Sequence, residues 1–212
     1  MQSARKETEA TRVRYNRLAP IYDEMDFLAE RRFQSWREKL WKQVPSGRIL
    51  EVGVGTGKNM PYYPDDAEVV GIDLSDRMLA QARERARREG VDVELYEMDA
   101  QNLKFEDDQF DAAVATFVFC SVPDAVRGLQ ELERVVKPEA PIFLLEHVRV
   151  NKPVIGPLMD LANPVVVRIM GANINRRTVE NVRRAGLTIE RVEDLAPGGL
   201  VKLIVARTEG TA

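Results

Sequence analysis

The chain has 212 residues, of which 44% are hydrophobic and 31% charged, and its formal net charge is −3. This length suits one domain with a sizeable core, and the balance of residue types is that of an ordinary globular protein. A single cysteine, Cys120, excludes an internal disulfide framework and favours a reducing cytoplasm.

Charge and hydropathy limit the kinds of partner that we expect. Residues 1–45 carry a net charge of +3 and residues 147–185 carry +5, whereas residues 46–146 carry −10. The basic segments are either ordinary solvated surface or one face attracted to phosphate groups, as on an anionic membrane. The first thirty residues lack the apolar run of a secretory signal, and no uncharged run reaches the roughly 20 residues of a spanning helix. We expect a cytoplasmic protein that meets a membrane only from the inner side.

The predicted elements begin with a helical segment, residues 1–45, in which Phe33, Trp36 and Leu40 share a helical spacing. From residue 48 onward, short β-rich runs alternate with helical patterns. This alternation predicts an α/β fold with a Rossmann-like, mostly parallel sheet and helices on both faces. The seven predicted strands are 48–53, 68–73, 92–97, 110–116, 141–147, 187–195 and 199–207.

Three helices are predicted between these strands, at 75–90, 123–138 and 176–186. Gly90 and Gly186 end the first and third of them, and prolines bound the second. Residues 152–172 stand outside the alternation. They form an apolar insertion that we expect its prolines to break.

A glycine turn follows the first predicted strand. Gly53, Gly55 and Gly57 lie at the sheet edge where open α/β proteins bind ligands. Asp73 ends the second strand, at a distance from the turn that suits hydrogen bonds to ribose hydroxyls. The alternative is a tight turn with an acid on the surface.

Two residues indicate which nucleoside binds. The third glycine of a dinucleotide fingerprint would fall on Lys58, and Glu51 precedes the turn. A pyrophosphate is disfavoured beside Glu51, whereas a ligand with an ammonium and a sulfonium tolerates that carboxylate. The pattern therefore favours S-adenosylmethionine over NAD.

The stretches "LEVGVGTG", "VVGIDLSDRMLAQAR", "MDAQNL" and "FDAAVATFVFCSV" resemble the successive motifs of class I S-adenosylmethionine-dependent methyltransferases. The resemblance covers residues 45–150 and implies S-adenosylmethionine as the cofactor. It implies that the methionine part is bound by Glu51, Gly53, Gly55, Gly57, Thr116 and Phe117, the ribose by Asp73, and the adenine by Leu74, Met78, Asp99 and Ala100. "VVKPEAP" departs from the usual L-x-P-G-G of the family, which leaves the turn before the fifth strand open.

Pro61 and Pro64 make a long helix after the glycine turn unfavourable, so we expect a short turn with Met60, Tyr62 and Tyr63. "GTGKNMPYYP", "FCSVPDA" and "LLEHVR" resemble a narrower group. It contains bacterial phosphatidylethanolamine N-methyltransferases and membrane-associated thiol methyltransferases of animals. "RYNRLAPIYDEM" is similar to the entry helix of lipid and quinone methyltransferases, which implies that Tyr15 or Tyr22 closes over the cofactor.

The catalytic candidates are His147, Glu146 and Tyr22. His147 stands beside Glu146 at the end of the fifth predicted strand and is either a base for the acceptor or a histidine bonded to backbone. Cys120 is predicted to pack rather than to attack, because methyl transfer needs no covalent step. Tyr15, Tyr22 and Tyr63 either form a cation–π wall or simply pack.

The resemblance divides the single domain, 1–212, into a helical lid (1–45), a cofactor-binding core (46–150), an insertion over the acceptor (151–175) and a last helix with strands (176–212). Trp36, Trp41 and the insertion are predicted to contact lipid, with Arg168, Arg176 and Arg177 near phosphates. Alternatively, the insertion is only a lid.

These patterns leave several functions open. The first is methyl transfer to a lipid amine such as phosphatidylethanolamine and its partly methylated products. The second is transfer to a small thiol, a quinone or another aromatic acceptor. Weaker alternatives are an NAD-dependent oxidoreductase and a protein that binds S-adenosylmethionine without catalysis. We expect no nucleic-acid partner, because the middle of the chain is acidic, and no metal, because one histidine and one cysteine make no ligand cluster.

Overall fold

A seven-stranded sheet forms the centre of the computed structural model, which describes residues 2–170 and 172–208. The predicted domain range 1–212 thus includes residues 1, 171 and 209–212, which lie outside the described residues. The strands are β1 (Gly47–Val52), β2 (Ala67–Asp73), β3 (Glu94–Glu97), β4 (Ala112–Thr116), β5 (Pro141–His147), β6 (Thr188–Asp194) and β7 (Val201–Arg207). The helices are α1 (Gln2–Leu18), α2 (Tyr22–Trp41), α3 (Asp76–Glu89), α4 (Ala125–Val135), α5 (Ile155–Met170) and α6 (Thr178–Arg184).

The strand order is β3-β2-β1-β4-β5-β7-β6, and β7 alone runs antiparallel to its neighbours β5 and β6. The predicted α/β class with seven strands is confirmed. Because the chain builds outward from β1 to β3 and then returns to β4, the direction of winding reverses between β1 and β4. Open α/β sheets bind ligands at such a point, beyond the carboxyl ends of the strands.

Helices cover both faces of the sheet. On one face, Leu50 and Leu144 pack with Leu129 and Leu132 of α4. On the other face, α2 packs its last turn against the central strands. β1 is buried on both sides over its last four residues, as expected of a central parallel strand.

The last turn of α2 corrects one prediction about lipid contact. Trp41 is only 1% exposed, and its ring centroid lies 4.7 Å from that of Tyr63. Trp36 packs partly against the same cluster. The prediction that Trp41 contacts lipid is therefore wrong, because this end of the helix covers the sheet.

The glycine turn has the geometry that its sequence indicates. Gly53, Gly55 and Gly57 all have positive φ, at 70°, 57° and 84°, a region that other residues enter only with strain. After the turn comes a single 3-10 turn, Met60–Tyr62, with Pro61 inside it. The prediction that the prolines prevent a long helix is confirmed.

The insertion differs from its prediction. Residues 155–170 form one continuous helix, α5, with Pro164 inside it. Pro157 lies in the first turn, where an amide hydrogen has no partner within the helix. Pro164 removes one hydrogen bond from a helix of 16 residues. The contacts on the inner side of α5 hold the helix together.

A substitution pair tests how tightly the glycine turn is packed. Gly53 and Gly90 have nearly equal φ, 70° and 68°, so an alanine at either position meets the same backbone strain. A Cβ at residue 53 would lie 2.4 Å from Cγ2 of Val118, whereas one at residue 90 meets nothing within 4 Å. We expect Gly53→Ala to lower the free energy of unfolding by about 1–3 kcal/mol more than Gly90→Ala, measured by urea denaturation. Equal losses would contradict the close contact.

Candidate functional site

A cleft opens at the carboxyl ends of β1, β2 and β4. Its volume is about 710 Å³, including the open space at its mouth. Eleven of the predicted site residues line it: Tyr15, Tyr22, Gly53, Gly55, Asp73, Leu74, Met78, Asp99, Ala100, Thr116 and Phe117. The other four, Glu51, Gly57, Glu146 and His147, lie outside its lining. The cleft therefore gathers residues from both sides of the point where the winding reverses.

The carboxylate of Asp73 and the glycine turn are joined directly. The backbone N–H of Gly55 donates to Oδ2 of Asp73 at 2.9 Å, and the N–H of Ser75 donates to Oδ1 at 2.8 Å. Burial raises the pKa of Asp73 to about 6, although these amide hydrogens oppose the rise. A carboxylate held this way keeps lone pairs toward the cleft for two ribose hydroxyls, so the residues present fit a nucleoside.

The turn itself leaves room for a ligand. A Cβ at Gly55 would meet only the carbonyl oxygen of Gly53, at 4.0 Å, so the surface beside Gly55 is open. Gly57 differs, because a Cβ there would lie 2.8 Å from Sδ of Met60. Gly57 thus allows the turn to pack, whereas Gly53, which packs against Val118, and Gly55 both line the cleft.

An apolar slot adjoins Asp73. Leu74, Met78 and Met98 line it, and Asp99 and Ala100 lie at its edge. Such a slot suits the flat adenine ring, and a carboxylate at its edge suits the amino group of that ring. The slot and Asp73 together fit an adenosyl group.

Asp99 is oriented by a residue to which the sequence analysis gave no role. The backbone N–H and the side-chain amide of Gln101 both donate to Oδ1 of Asp99 at 2.9 Å. Oε1 of Gln101 accepts from the N–H of Asp124 at 2.9 Å. Gln101 therefore links the edge of the slot to the start of α4.

Glu51 lies beneath the turn and is fully buried. Asn59 donates to its Oε1 at 2.6 Å, and the hydroxyl of Tyr63 donates to its Oε2. Burial raises the pKa of Glu51, and the bonds from Tyr63 and Asn59 oppose that rise. Glu51 thus holds the segment after the turn. The geometry differs from the direct contact with methionine that the resemblance implies.

A polar stripe along α2, made of Asp23, Glu30 and Arg37 at intervals of seven residues, faces the glycine turn. The hydroxyl of Thr56 donates to Asp23 at 2.7 Å, and Lys58 pairs with Glu30 at 3.2 Å. Because residues seven apart share one face of a helix, these contacts fix the whole length of α2 over the turn.

Arg37 makes the deepest contacts of the polar stripe. It is 6% exposed, and its Nη1 donates to Oδ1 of Asn59 at 2.8 Å and to Oγ1 of Thr116 at 3.3 Å. Its guanidinium also lies 5.7 Å from the ring centroid of Phe117. Since Thr116 and Phe117 line the cleft, Arg37 connects α2 to the cleft wall.

The N-terminal helices close the cleft from above. The hydroxyl of Tyr15 lies 2.5 Å from Oγ of Ser121, which joins α1 to the loop after β4. The ring of Tyr22 lines the cleft, with Nζ of Lys58 5.1 Å from its centroid. Both tyrosines that the resemblance singled out thus lie at the cleft.

His147 lies one aromatic ring away from the cleft. Its ring centroid is 4.6 Å from that of Phe117 and 6.0 Å from that of Phe33. Phe117 has a positive φ of 59°, a strained conformation for a non-glycine residue. At the end of β4, the direction of the Phe117 side chain is therefore set by a backbone conformation that phenylalanine disfavours.

Glu146 anchors the loop that follows β4. It is fully buried, and its Oε1 accepts from the N–H groups of Val118 and Phe119, both at 2.9 Å. Burial raises the pKa of Glu146 to about 7, against the opposing effect of these bonds. Its position suits holding the cleft wall, because Glu146 is buried and lies outside the cleft lining.

Arg176, predicted to lie near phosphates, binds this loop instead. Its guanidinium donates to the carbonyl oxygen of Val122 at 2.7 Å and lies within 3.5 Å of that of Cys120. That placement corrects the prediction, because the charged group is half-buried against carbonyls. Burial raises the pKa of the Cys120 thiol to about 12, which agrees with a packing role.

Comparison with known proteins identifies the family of the chain. A family model described as a methyltransferase domain matches residues 50–144. A phosphatidylethanolamine N-methyltransferase of Cereibacter sphaeroides is 42% identical over 114 residues, which are 53% of this chain and 55% of that protein. The chain thus matches about half the length of that relative.

Two further matches cover more of the chain. A 2-phytyl-1,4-naphtoquinone methyltransferase of Trichormus variabilis is 32% identical over 154 residues, 68% of this chain and 67% of the relative. The solved structure of the [4+2]-cyclase SpnF has a TM-score of 0.69 at 22% identity. The match covers 85% of this chain and 82% of the SpnF chain. That structure shows the shared fold alone.

The chain belongs to the S-adenosylmethionine-dependent methyltransferases, and S-adenosylmethionine is its cofactor. The cofactor supplies a methyl group on a sulfonium, and the reaction is an in-line displacement. The protein contributes alignment and exclusion of water. Among the described residues, no group of three metal-binding side chains is present and no helix has the length and hydropathy to cross a bilayer.

The raised pKa of Glu146 gives a test of its anchoring role. The group is protonated in the folded chain, but ionised in the unfolded chain, between its ordinary pKa of 4.5 and about 7. Its contribution to stability therefore falls as pH rises through that window and is constant above it. We expect Glu146→Gln, which still accepts from Val118 and Phe119, to remove this fall. The measurement is the difference in free energy of unfolding from wild type at pH values from about 4 to about 8, which bracket the window.

Arg176 and Cys120 face Glu146 and stay unchanged in this comparison. Glu146→Ala serves as the matched control, because it removes both the charge and the acceptor and should destabilise the chain at every pH. If the glutamine variant has the same pH dependence as wild type, Glu146 does not titrate as described.

Proposed function

We propose that the protein transfers methyl groups to a lipid amine such as phosphatidylethanolamine and its mono- and dimethyl derivatives. The observation that carries the proposal is the presence of three aromatic side chains, Tyr15, Tyr22 and Phe117, in the lining of the cleft, which we call the aromatic wall. Aromatic faces stabilise a cationic ammonium, and each methyl transfer to an amine moves the acceptor toward a permanent cation. The sequence alone leaves Tyr63 either in such a wall or in plain packing. In the structure its hydroxyl donates to Glu51, and Tyr63 is not part of the cleft lining, whereas Phe117 is.

The main site residues have separate roles in this proposal. Gly53, Gly55 and Asp73 hold the cofactor, with the adenine in the adjoining slot. Tyr22 and Phe117 position the acceptor. His147 is the candidate base, because an ammonium must lose its proton before it attacks, and its ring stacks on Phe117. Glu51, Gly57 and Glu146 act by holding the walls.

The relatives are named for two classes of acceptor, a lipid amine and a quinone. The relative with 42% identity is named as a phosphatidylethanolamine N-methyltransferase. A second candidate is a quinol acceptor, which the naphthoquinone methyltransferase of Trichormus variabilis favours by its longer match. Both acceptors have long apolar chains, so both agree with an enzyme that works at a membrane surface, which we include in the proposal.

An acceptor panel tests the proposal. The protein is incubated with S-adenosylmethionine labelled on its methyl group and with phosphatidylethanolamine, its monomethyl derivative, a prenylated naphthoquinol or an alkyl thiol, each in separate reactions. We expect label in the two phospholipids, with the monomethyl derivative reacting at least as well because the aromatic wall favours methylated ammonium. The Asp73→Asn variant gives the background.

Label confined to the quinol would replace the amine with the second candidate. Label confined to the thiol would contradict both.

A further inference from the structure

The outer face of α5 exposes large apolar side chains. Leu158, Leu161 and Val165 are 62%, 77% and 61% exposed, and Val154, just before the helix, is 77% exposed. Their spacing of three or four residues places them on one side of a helix. With Ile155, they make up half of the ten exposed large apolar side chains in the part of the chain that the structure describes.

The opposite side of α5 is fastened to the domain. Met159 is 8% exposed, and Asp160 binds the guanidinium of Arg149 at 2.9 Å. Asn163 accepts from the N–H of Ile174 at 2.9 Å and donates to Asn173 at 3.1 Å. Because these contacts fix the rotation of the helix, the apolar face points outward as part of the folded structure.

Charge on α5 favours an anionic surface over a second copy of the chain. Lys152 and Arg168 are exposed near the two ends of the apolar face. Asp160 is the sole acidic residue between them, and it binds Arg149. Two copies packed face to face would bring these cations together, whereas anionic headgroups would pair with them.

The chain directly after α5 connects this face to the cleft. Both the N–H and the side-chain amide of Asn173 donate to the carbonyl oxygen of Cys120, at 2.9 and 2.8 Å. Arg176 adds the bond to Val122. The loop of residues 117–122 forms one wall of the cleft. The segment after α5 is hydrogen-bonded to this wall, so a surface that binds α5 lies on the same side of the molecule as these hydrogen bonds.

We propose that the outer face of α5 docks on the surface of an anionic lipid bilayer, with its leucines and valines in the interface and its two end cations at phosphates. This inference rests on the proposed function in one respect: the purpose of the docking is to bring the cleft to a lipid acceptor. An amphipathic helix of this kind lies in the plane of the interface and does not span the bilayer.

The test is flotation of the full chain with vesicles of phosphatidylcholine, with or without phosphatidylglycerol. We expect wild type to float with the anionic vesicles at low salt. The double variant Leu158→Glu/Leu161→Glu should bind at least about tenfold more weakly, because it removes two apolar side chains from the interface and adds two negative charges. Arg168→Gln should weaken binding by about fivefold.

Val192→Glu is the control, because it places one glutamate, half the charge of the double variant, on an exposed apolar position of the edge strand β6, outside α5. It should float like wild type. If the double variant also floats like wild type, α5 is not the docking surface. If light scattering shows a dimeric wild type and a monomeric double variant, the face belongs to a second copy of the chain, and the proposal is overturned.

Failure of this inference is distinguishable from failure of the proposed function. With a short-chain phosphatidylethanolamine below its micellar concentration, the double variant should methylate as fast as wild type, and with the same headgroup in anionic vesicles it should be at least about tenfold slower. A loss of flotation in the double variant supports docking even if no phosphatidylethanolamine is methylated.

Discussion

The hydrogen bond from the N–H of Gly55 to the carboxylate of Asp73 joins the ends of β1 and β2, next to the boundary between β1 and β4 where the winding reverses. It requires a backbone with positive φ at the turn, which is why glycines stand there. It also orients a buried carboxylate whose pKa burial raises to about 6. Gly55 and Asp73 both line the cleft, so this bond fixes part of the cleft wall.

The rest of the cleft is built from segments tied back to this centre. The polar stripe of α2 contacts the residues after the turn, and Arg37 extends those contacts to Thr116 on β4. Glu146 holds the loop after β4 through two amide hydrogens. Pairing limits the cost of burying these polar groups, because an unpaired one costs free energy. Oε2 of Glu146 is buried and has no hydrogen-bond partner among the described residues. These polar groups leave the surfaces of Tyr15, Tyr22 and Phe117 to the ligands.

The sheet, the glycine turn and the short 3-10 turn could be predicted because alternating strand and helix patterns, glycines and prolines act locally. The directions of Glu51, Glu146 and Trp41 depend on what packs against them, so their burial was not visible in the sequence. Arg37 is part of a recognisable signal, polar residues seven apart on one helix, but its contact with Asn59 and Thr116 joins distant segments. For α5, prolines suggested a break, and tertiary contacts of its inner side outweighed them.

A binding cycle tests the central pair most directly. Calorimetry measures the affinity of wild type and Asp73→Asn for S-adenosylhomocysteine and for its 2′,3′-dideoxy analogue. If the carboxylate of Asp73 holds the ribose, wild type should prefer the hydroxylated ligand by at least about tenfold, since hydrogen bonds to a charged group are worth about 1.5–3 kcal/mol each, and the variant should lose most of that preference. An equal preference in both proteins would contradict the account.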